Sequence, residues 1–258
     1  MLTVVIPMAG RGSRFADAGY TVPKPLLPIH GVPMIEAVVR NLTPSEPVRF
    51  VFISRREHVE DYGFVPALRR VAPGCVVVPI EELTEGAACT VALGETAVDP
   101  EDVLVIANSD QWVDHSMDAH LTLLRRHRLD GLIMTMAADD PKWSFVELDG
   151  EARVTRVVEK EVVSSEATVG IYTFRRAGEY FRAARAMIAG GKRVNGEFYV
   201  APVYNELIEE GARIGIDNIG ADRAGMYGLG TPADYEDFLR LPVSHRAAGR
   251  PLAVTPAG

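Results

Sequence analysis

The first 140 residues alternate between short, mostly apolar runs and longer segments with helical spacing. This alternation narrows the possible folds more than any other feature. The runs are LTVVIP (2–7), VRFVFIS (48–54), CVVVPI (75–80), DVLVIANSD (102–110) and DGLIMTMAA (130–138). Each is close to continuously apolar and rich in β-branched residues, the pattern of a strand covered on both faces. Between them lie MIEAVVRNL (34–42), EHVEDYGFVPALRRV (57–71), GAACTVALGETAV (86–98) and SMDAHLTLLRRHR (116–128). Strand and helix in such succession predict a largely parallel sheet flanked by helices. Pro66 is expected in a first turn or at an interruption of its helix.

From about residue 142 the rhythm changes. WSFVELDGEARVTRVVEK (143–160) reads as a hairpin about Asp149–Gly150, and TVGIYTF (168–174) as a further strand. Helices are predicted over 177–189 and 200–210, short strands in RIGIDNI and AGMYGL, and a last helix opened by Thr231 with Pro232 in its first turn. Composition excludes several classes. Of 258 residues, 47% are apolar, enough to bury a sizeable core. A net charge of −8 argues against nucleic acid and anionic membranes as partners. Cys75 and Cys89 are too few for a disulfide framework, so a reducing compartment is expected. No run of 18 apolar residues occurs, and residues 2–7 are too short for a signal sequence. The expectation is a cytoplasmic protein.

The loop after the first strand, PMAGRGSRFADAGYTVPKPLLP (7–28), carries the chemistry. A glycine-rich turn at the carboxyl end of a parallel strand exposes backbone N–H groups that bind anions, phosphate above all. Gly10 and Gly12 permit close approach, and Arg14 and Lys24 add positive charge. Phe15 stands where GxGxxG needs its third glycine, and no GxxxxGK[ST] occurs, so neither common phosphate loop is present. Asp110 ends the strand VLVIANSD, where a carboxylate faces the crevice used by α/β ligands. Mg²⁺, which takes oxygen ligands from one or two carboxylates and from phosphates, suits that place.

The pattern AGRGSRF…PKPLLPI resembles the signature of the nucleotidyltransferases called NDP-sugar pyrophosphorylases. EGAACT, NSDQW, VVEK, TVGIYTF and GLGTPADYEDF follow in the family's order, so the resemblance spans roughly residues 2–240. LTEGAACT, PKWSF, SSEATVGIY and VNGEFYVAPVYN look closest to cytidylyltransferases acting on small phosphorylated or phosphonylated acceptors. The resemblance implies a Rossmann-like nucleotide-diphospho-sugar transferase fold, α/β, with a mostly parallel central sheet and a smaller acceptor-binding subdomain. It implies one domain over 1–242, with 1–140 holding the nucleotide and 141–242 the acceptor, followed by a flexible tail over 243–258. It also implies Mg²⁺-dependent attack of an acceptor phosphate or phosphonate oxygen on the α-phosphorus of an NTP, with CTP favoured and pyrophosphate leaving. Such chemistry needs positioning and charge neutralisation more than an acid or base.

By the same resemblance Arg14 and Lys24 are catalytic and Asp110 binds the metal. Met8, Ala9, Gly10, Gly12, Ser13, Glu85, Gly86, Ala87 and Ser109 hold the nucleotide. Ser144, Glu159, Lys160, Thr168, Gly170 and Glu197 hold the acceptor. The chain departs from sugar enzymes in three places: Ser144–Phe145 replace a Tyr-Gly pair, Glu161 replaces a proline, and Gly228 stands where a second metal-binding aspartate is common. Asp217 and Asp222 are candidates for that aspartate. Trp143, Tyr172 and Tyr199 offer a cage for a quaternary ammonium, or simply pocket wall. Sugar-1-phosphate transfer and phosphocholine cytidylyl transfer therefore stay open, as do a nucleotide-sugar-dependent glycosyltransferase and a non-catalytic regulatory relative. So does the oligomeric state, a homodimer included.

Overall fold

In the computed structural model, which describes residues 1–249, the apolar run Leu2–Pro7 becomes β1, and its alternate side chains part to opposite faces of a sheet. Leu2, Val4 and Ile6 enter one core and Val5 the other. After α1 (Ser13–Asp17) and a small hairpin of β2 (Pro28–Ile29) and β3 (Val32–Pro33), the chain runs through α2 (Met34–Leu42), β4 (Val48–Arg55), α3 (Arg56–Asp61), α4 (Phe64–Val71) and β5 (Val76–Ile80). It returns through α5 (Ala87–Ala92) to β6 (Val103–Ala107), β7 (Gln111–Val113), α6 (Met117–Arg126) and β8 (Gly131–Ala137). The second half contains β9 (Ser144–Leu148), β10 (Val154–Glu159), β11 (Glu166–Phe174), α7 (Ala177–Ala189), α8 (Val203–Glu209), β12 (Ile214–Asp222), β13 (Gly225–Gly228), α9 (Pro232–Arg240) and α10 (Val243–Ala247).

One sheet runs through both halves in the order β5-β4-β1-β6-β11-β8-β12-β13-β7, with the β9–β10 hairpin joined to β11. It is mostly parallel: β11 and β7 run against the other seven strands of that path. The boundary near residue 140 is therefore no gap, because β11, β12 and β13 continue the sheet that β1 begins. The helices α2, α4, α6, α9 and α10 cover one face, and α5, α7 and α8 the other.

Local departures have local causes. The helical segment 57–71 breaks at Gly63, which takes φ +62, while Pro66 sits in the first turn of α4, where its missing N–H costs nothing. The expected tail over 243–258 is wrong at its start. Val243 and Ala247, one helical turn apart, are buried in α10, and Ser244 Oγ lies 2.6 Å from His30 Nε2. Arg246 pairs with Asp114 at 2.6 Å and lies over Trp112. Residues 250–258, the rest of that expected tail, lie outside the described residues. Among the described residues no helix is long and apolar enough to cross a membrane.

Candidate active site

The chain lays β4 and β5 on one side of β1, then returns to place β6 on the other. At such a reversal the loops leaving two neighbouring strands diverge and open a crevice at their carboxyl ends. Here the crevice lies between the loop after β1 and Asn108–Asp110 after β6. Met8 N–H is tied to the Ile53 carbonyl at 2.8 Å, but among the described residues no main-chain carbonyl accepts from the amides of Ala9 to Gly12. Gly12 adopts φ +63, which turns the chain into α1. Lys24 heads a 3-10 turn between Pro23 and Pro25, and its ammonium reaches across to Asp110 Oδ2 at 2.6 Å. Residues 86 apart in sequence thus meet, with side chains 21% and 24% exposed.

Three lobes open around Asn108. The first, about 400 Å³, is lined by Met8, Gly10, Gly12, Lys24, Ser109 and Asp110, with Arg11, His58 and Tyr62 alongside. The second, about 310 Å³, takes Ala87, Ser144, Glu159, Thr168, Gly170 and Tyr172 into its lining, between Trp143 and Tyr199. The third, about 460 Å³, joins them and carries Arg14, Asp110, Gln111 and Asp222. Gly170 makes this junction possible. It takes φ +79 at a bulge in β11, and a Cβ there would stand 2.1 Å from Asn108 Nδ2. Its carbonyl accepts from Asn108 N–H at 3.1 Å.

Most of the sequence-proposed residues converge on these lobes. Arg14 is exposed on the third lobe rather than beside the glycine loop, where Arg11 stands instead. Ser13 begins α1. Gly86 takes φ +131 against the Phe198 backbone, where a Cβ would lie 2.4 Å from the carbonyl oxygen, so packing accounts for its missing side chain. Glu85 pairs with Arg193 at 2.7 Å. Of that segment, Ala87 lines the second lobe. Phe145 is fully buried and turned into the core, so of the Ser144–Phe145 pair only Ser144 bears on the space for an acceptor.

Glu159 ends β10 opposite Ser144, which starts β9 and donates its hydroxyl hydrogen to the Glu159 carboxylate. Burial pushes that carboxyl group up from the usual carboxylate range, although the Ser144 hydrogen bond acts in the other direction. Lys160, held at φ +59, donates to the Tyr199 hydroxyl at 2.8 Å. Glu197 is exposed on the tight Val194–Glu197 turn. Asp217 is engaged by two histidines, bonding His120 at 2.7 Å with His115 Nε2 3.0 Å away. Asp222, by contrast, shares the third lobe with Asp110. Arg11, His58, Tyr62 and Lys142 were not given roles from the sequence. Only Arg11, between the two loop glycines, carried a local signal.

This arrangement defines an α/β protein with a crevice lined by a glycine loop, Lys24 and Asp110 at the turning point of its sheet and a second, polar-floored lobe beside it. Comparison with known proteins places it further. The family model for nucleotidyl transferases matches residues 3–199, and the chain belongs to that family. A nucleoside-diphosphate-sugar pyrophosphorylase from Vibrio cholerae RC9 is 30% identical and superposes with a TM-score of 0.78 over 92% of this chain and all of that one. An inositol-1-phosphate CTP transferase from T. maritima shares the fold at TM-score 0.73, covering 100% of this chain and 98% of that one, at 15% identity. The bifunctional protein GlmU of Streptococcus sanguinis SK36 is 24% identical over 225 residues, covering 82% of this chain but 45% of its own length. The chain thus spans less than half of that curated relative.

Proposed function

We propose that this nucleotidyltransferase moves a nucleoside monophosphate, from CTP by preference, onto a phosphate or phosphonate oxygen of a small metabolite and releases pyrophosphate. The bond from the acceptor oxygen to the α-phosphorus forms as the bond to the leaving pyrophosphate breaks. The attacking oxygen is already anionic, so no proton has to move. The observation that carries the reading is Lys24 held 2.6 Å from Asp110 at the turning point of the sheet, beside unpaired loop amides.

In this reading the amides of Ala9 to Ser13, with Arg11 and Arg14, hold the triphosphate and absorb charge on the leaving group. Lys24 bridges the α-phosphate and the attacking oxygen. Ser109 lines the nucleotide lobe, and Lys160 reaches toward the acceptor anion. Asp110 suits Mg²⁺: its carboxylate is 24% exposed and lines both the first and the third lobe. A protein that supplies one carboxylate and leaves the remaining positions to phosphates and water matches the ordinary habit of Mg²⁺. Asp222 is the candidate for a second ligand. When bound, Mg²⁺ would neutralise phosphate charge.

The preference for CTP rests on sequence resemblance. A second reading, transfer to a sugar 1-phosphate, is favoured by the likeness to the Vibrio nucleoside-diphosphate-sugar pyrophosphorylase. Pyrophosphate release measured for CTP, UTP, dTTP, GTP and ATP, each against glucose 1-phosphate, mannose 1-phosphate, phosphocholine, an amino-acid phosphate and simple phosphonates, decides between them. Turnover is expected with CTP and a non-hexose acceptor. Turnover with UTP or dTTP and a hexose 1-phosphate, with none from CTP, establishes the second reading. No pyrophosphate from any pair in Mg²⁺ rejects both and points to a glycosyltransferase or a regulatory relative.

A further inference from the structure

We infer that the lobe floored by Glu159 binds a primary ammonium group carried by the acceptor, with Glu159 as its counter-ion. The inference rests on the nucleotidyl-transfer reading only in calling this lobe the acceptor's.

The floor of the lobe is polar and buried. Ser144, Glu159, Thr168 and Tyr172 are each 9% exposed or less, and all four line it. Ser144 donates to Glu159, while Thr168 Oγ1 and the Tyr172 hydroxyl lie 2.9 Å apart. The only formal charge on this floor is the Glu159 carboxylate, and no cation stands within ion-pair distance of it among the described residues. Nearby Lys160, whose ammonium donates to the Tyr199 hydroxyl beyond ion-pair distance of Glu159, offsets part of this charge, and Glu197 adds further negative charge. Lys142, on the rim, is paired with Asp140 at 3.3 Å. A buried carboxylate bonded only to a hydroxyl keeps most of its desolvation cost. A ligand hydroxyl would add one hydrogen bond and no positive charge. An ammonium supplies both hydrogen bonds and the opposite charge.

The same geometry distinguishes a primary from a quaternary nitrogen. A trimethylated cation has no N–H to donate and relies on open aromatic faces. Trp143 and Tyr199 flank the lobe, but Lys142 Nζ already lies 4.9 Å from the Trp143 ring centre and Lys160 Nζ 5.0 Å from that of Tyr199. Tyr172 is 7% exposed, with its hydroxyl engaged by Thr168. The carboxylate, the Thr168 hydroxyl and the Ser144 hydroxyl are the accessible recognition groups, and they accept from N–H donors. The three aromatics therefore share a pocket without forming an open cage.

A matched series tests this on the full chain: 2-aminoethylphosphonate, 2-hydroxyethylphosphonate and 2-(trimethylammonio)ethylphosphonate. Binding is read by calorimetry with CTP and Mg²⁺ present, and turnover by pyrophosphate release. The amine is expected to bind at least about tenfold more tightly than either counterpart, the scale of one hydrogen bond to a charged group. Glu159→Gln, whose amide can still bond Ser144, is expected to bring the amine-to-hydroxyl ratio close to one. Equal or tighter binding of the hydroxyl or trimethylated compound to the parent chain overturns the proposal. So does an unchanged ratio in the variant, or no binding of the amine at millimolar concentration. If the amine is preferred but no nucleotide triphosphate yields pyrophosphate, the nucleotidyl-transfer reading fails and the ammonium site stands.

Discussion

Replacing Lys24 by alanine separates a catalytic charge from a structural one. The side chain is 21% exposed, and among the described residues its one ion pair is the 2.6 Å contact with Asp110. An ion pair this accessible to water contributes at most about 1 kcal/mol. In a chain of this size that corresponds to a melting shift of about 2 to 4 °C. The turn itself is held by other bonds: Leu26 N–H to the Pro23 carbonyl at 2.8 Å and Leu27 N–H to the Lys24 carbonyl at 3.0 Å, both untouched by the change. Turnover should behave differently. Removing one preorganised charge from a transition state typically costs roughly 100- to 1,000-fold in rate. The assay is pyrophosphate release under saturating nucleotide and Mg²⁺, beside a thermal melt of the same preparation. A variant that melts within a few degrees of the parent and turns over within about fivefold of it would refute the role given to Lys24. Combining the change with Asp110→Asn adds a second check, since two groups in direct contact should not give additive losses.

Asp110→Asn alone is expected to abolish Mg²⁺-dependent turnover with the melt preserved; superimposable metal titrations of variant and parent would remove Asp110 as a ligand. Gly170→Ala combines a positive φ, at about 1–2 kcal/mol, with overpacking against Asn108, at about 1–3 kcal/mol, and should lower the melting temperature by roughly 5–15 °C; an unchanged melt would mean that the junction yields freely. His115 is raised above its ordinary value chiefly by the Asp217 carboxylate, which lies 3.0 Å away. A histidine raised on folding stabilises below its unfolded value near 6.5 and loses that contribution as the pH climbs through the folded value. The melting deficit of His115→Asn should therefore be larger at pH 5.5 than at pH 9, and a deficit independent of pH would contradict this.

Much of the fold was legible because it rests on local pattern. The five apolar runs, the Asp149–Gly150 hairpin and the Thr231 cap each carry their signal within a few residues, and each forms as read. Less visible were features decided by tertiary contact. The direction of β11 is one, since TVGIYTF is equally apolar whether it runs with its neighbours or against them. Residues 243–247 are another: packing against α9, α2 and β2 makes a helix of them worthwhile. The site divides in the same way. Gly10, Lys24 and Asp110 were legible as candidates because a glycine loop, a lysine between prolines and a strand-end aspartate are local signals, and the three line one lobe. Gly86 was ambiguous because close packing and ligand approach both call for glycine, and the Phe198 backbone accounts for it. Lys142 and Tyr62 carry no local motif and matter only through what folds beside them.

The reversed strand β11 is what turns two pockets into one site. It enters between β6 and β8 and brings Gly170 against the loop that ends β6. A parallel strand in that place would send its carboxyl end, not its middle, toward Asn108. Because β11 runs the other way, its early residues Thr168 and Gly170 lie at the crevice, while its later residues Thr173 and Phe174 lie at the far edge with Leu104 and Val105. The hairpin β9–β10 then joins the early part of β11 through Ala167 and Phe145, which sets Ser144 and Glu159 as the floor of the second lobe. Asn108 borders all three lobes, so in the proposed reading the nucleotide side and the acceptor side share one residue and one backbone hydrogen bond. Transfer between two bound anions requires their reacting atoms to be held close together. A strand that could slide relative to β6 would not hold them there. The bulge at Gly170, locked by the Asn108 amide, fixes that spacing.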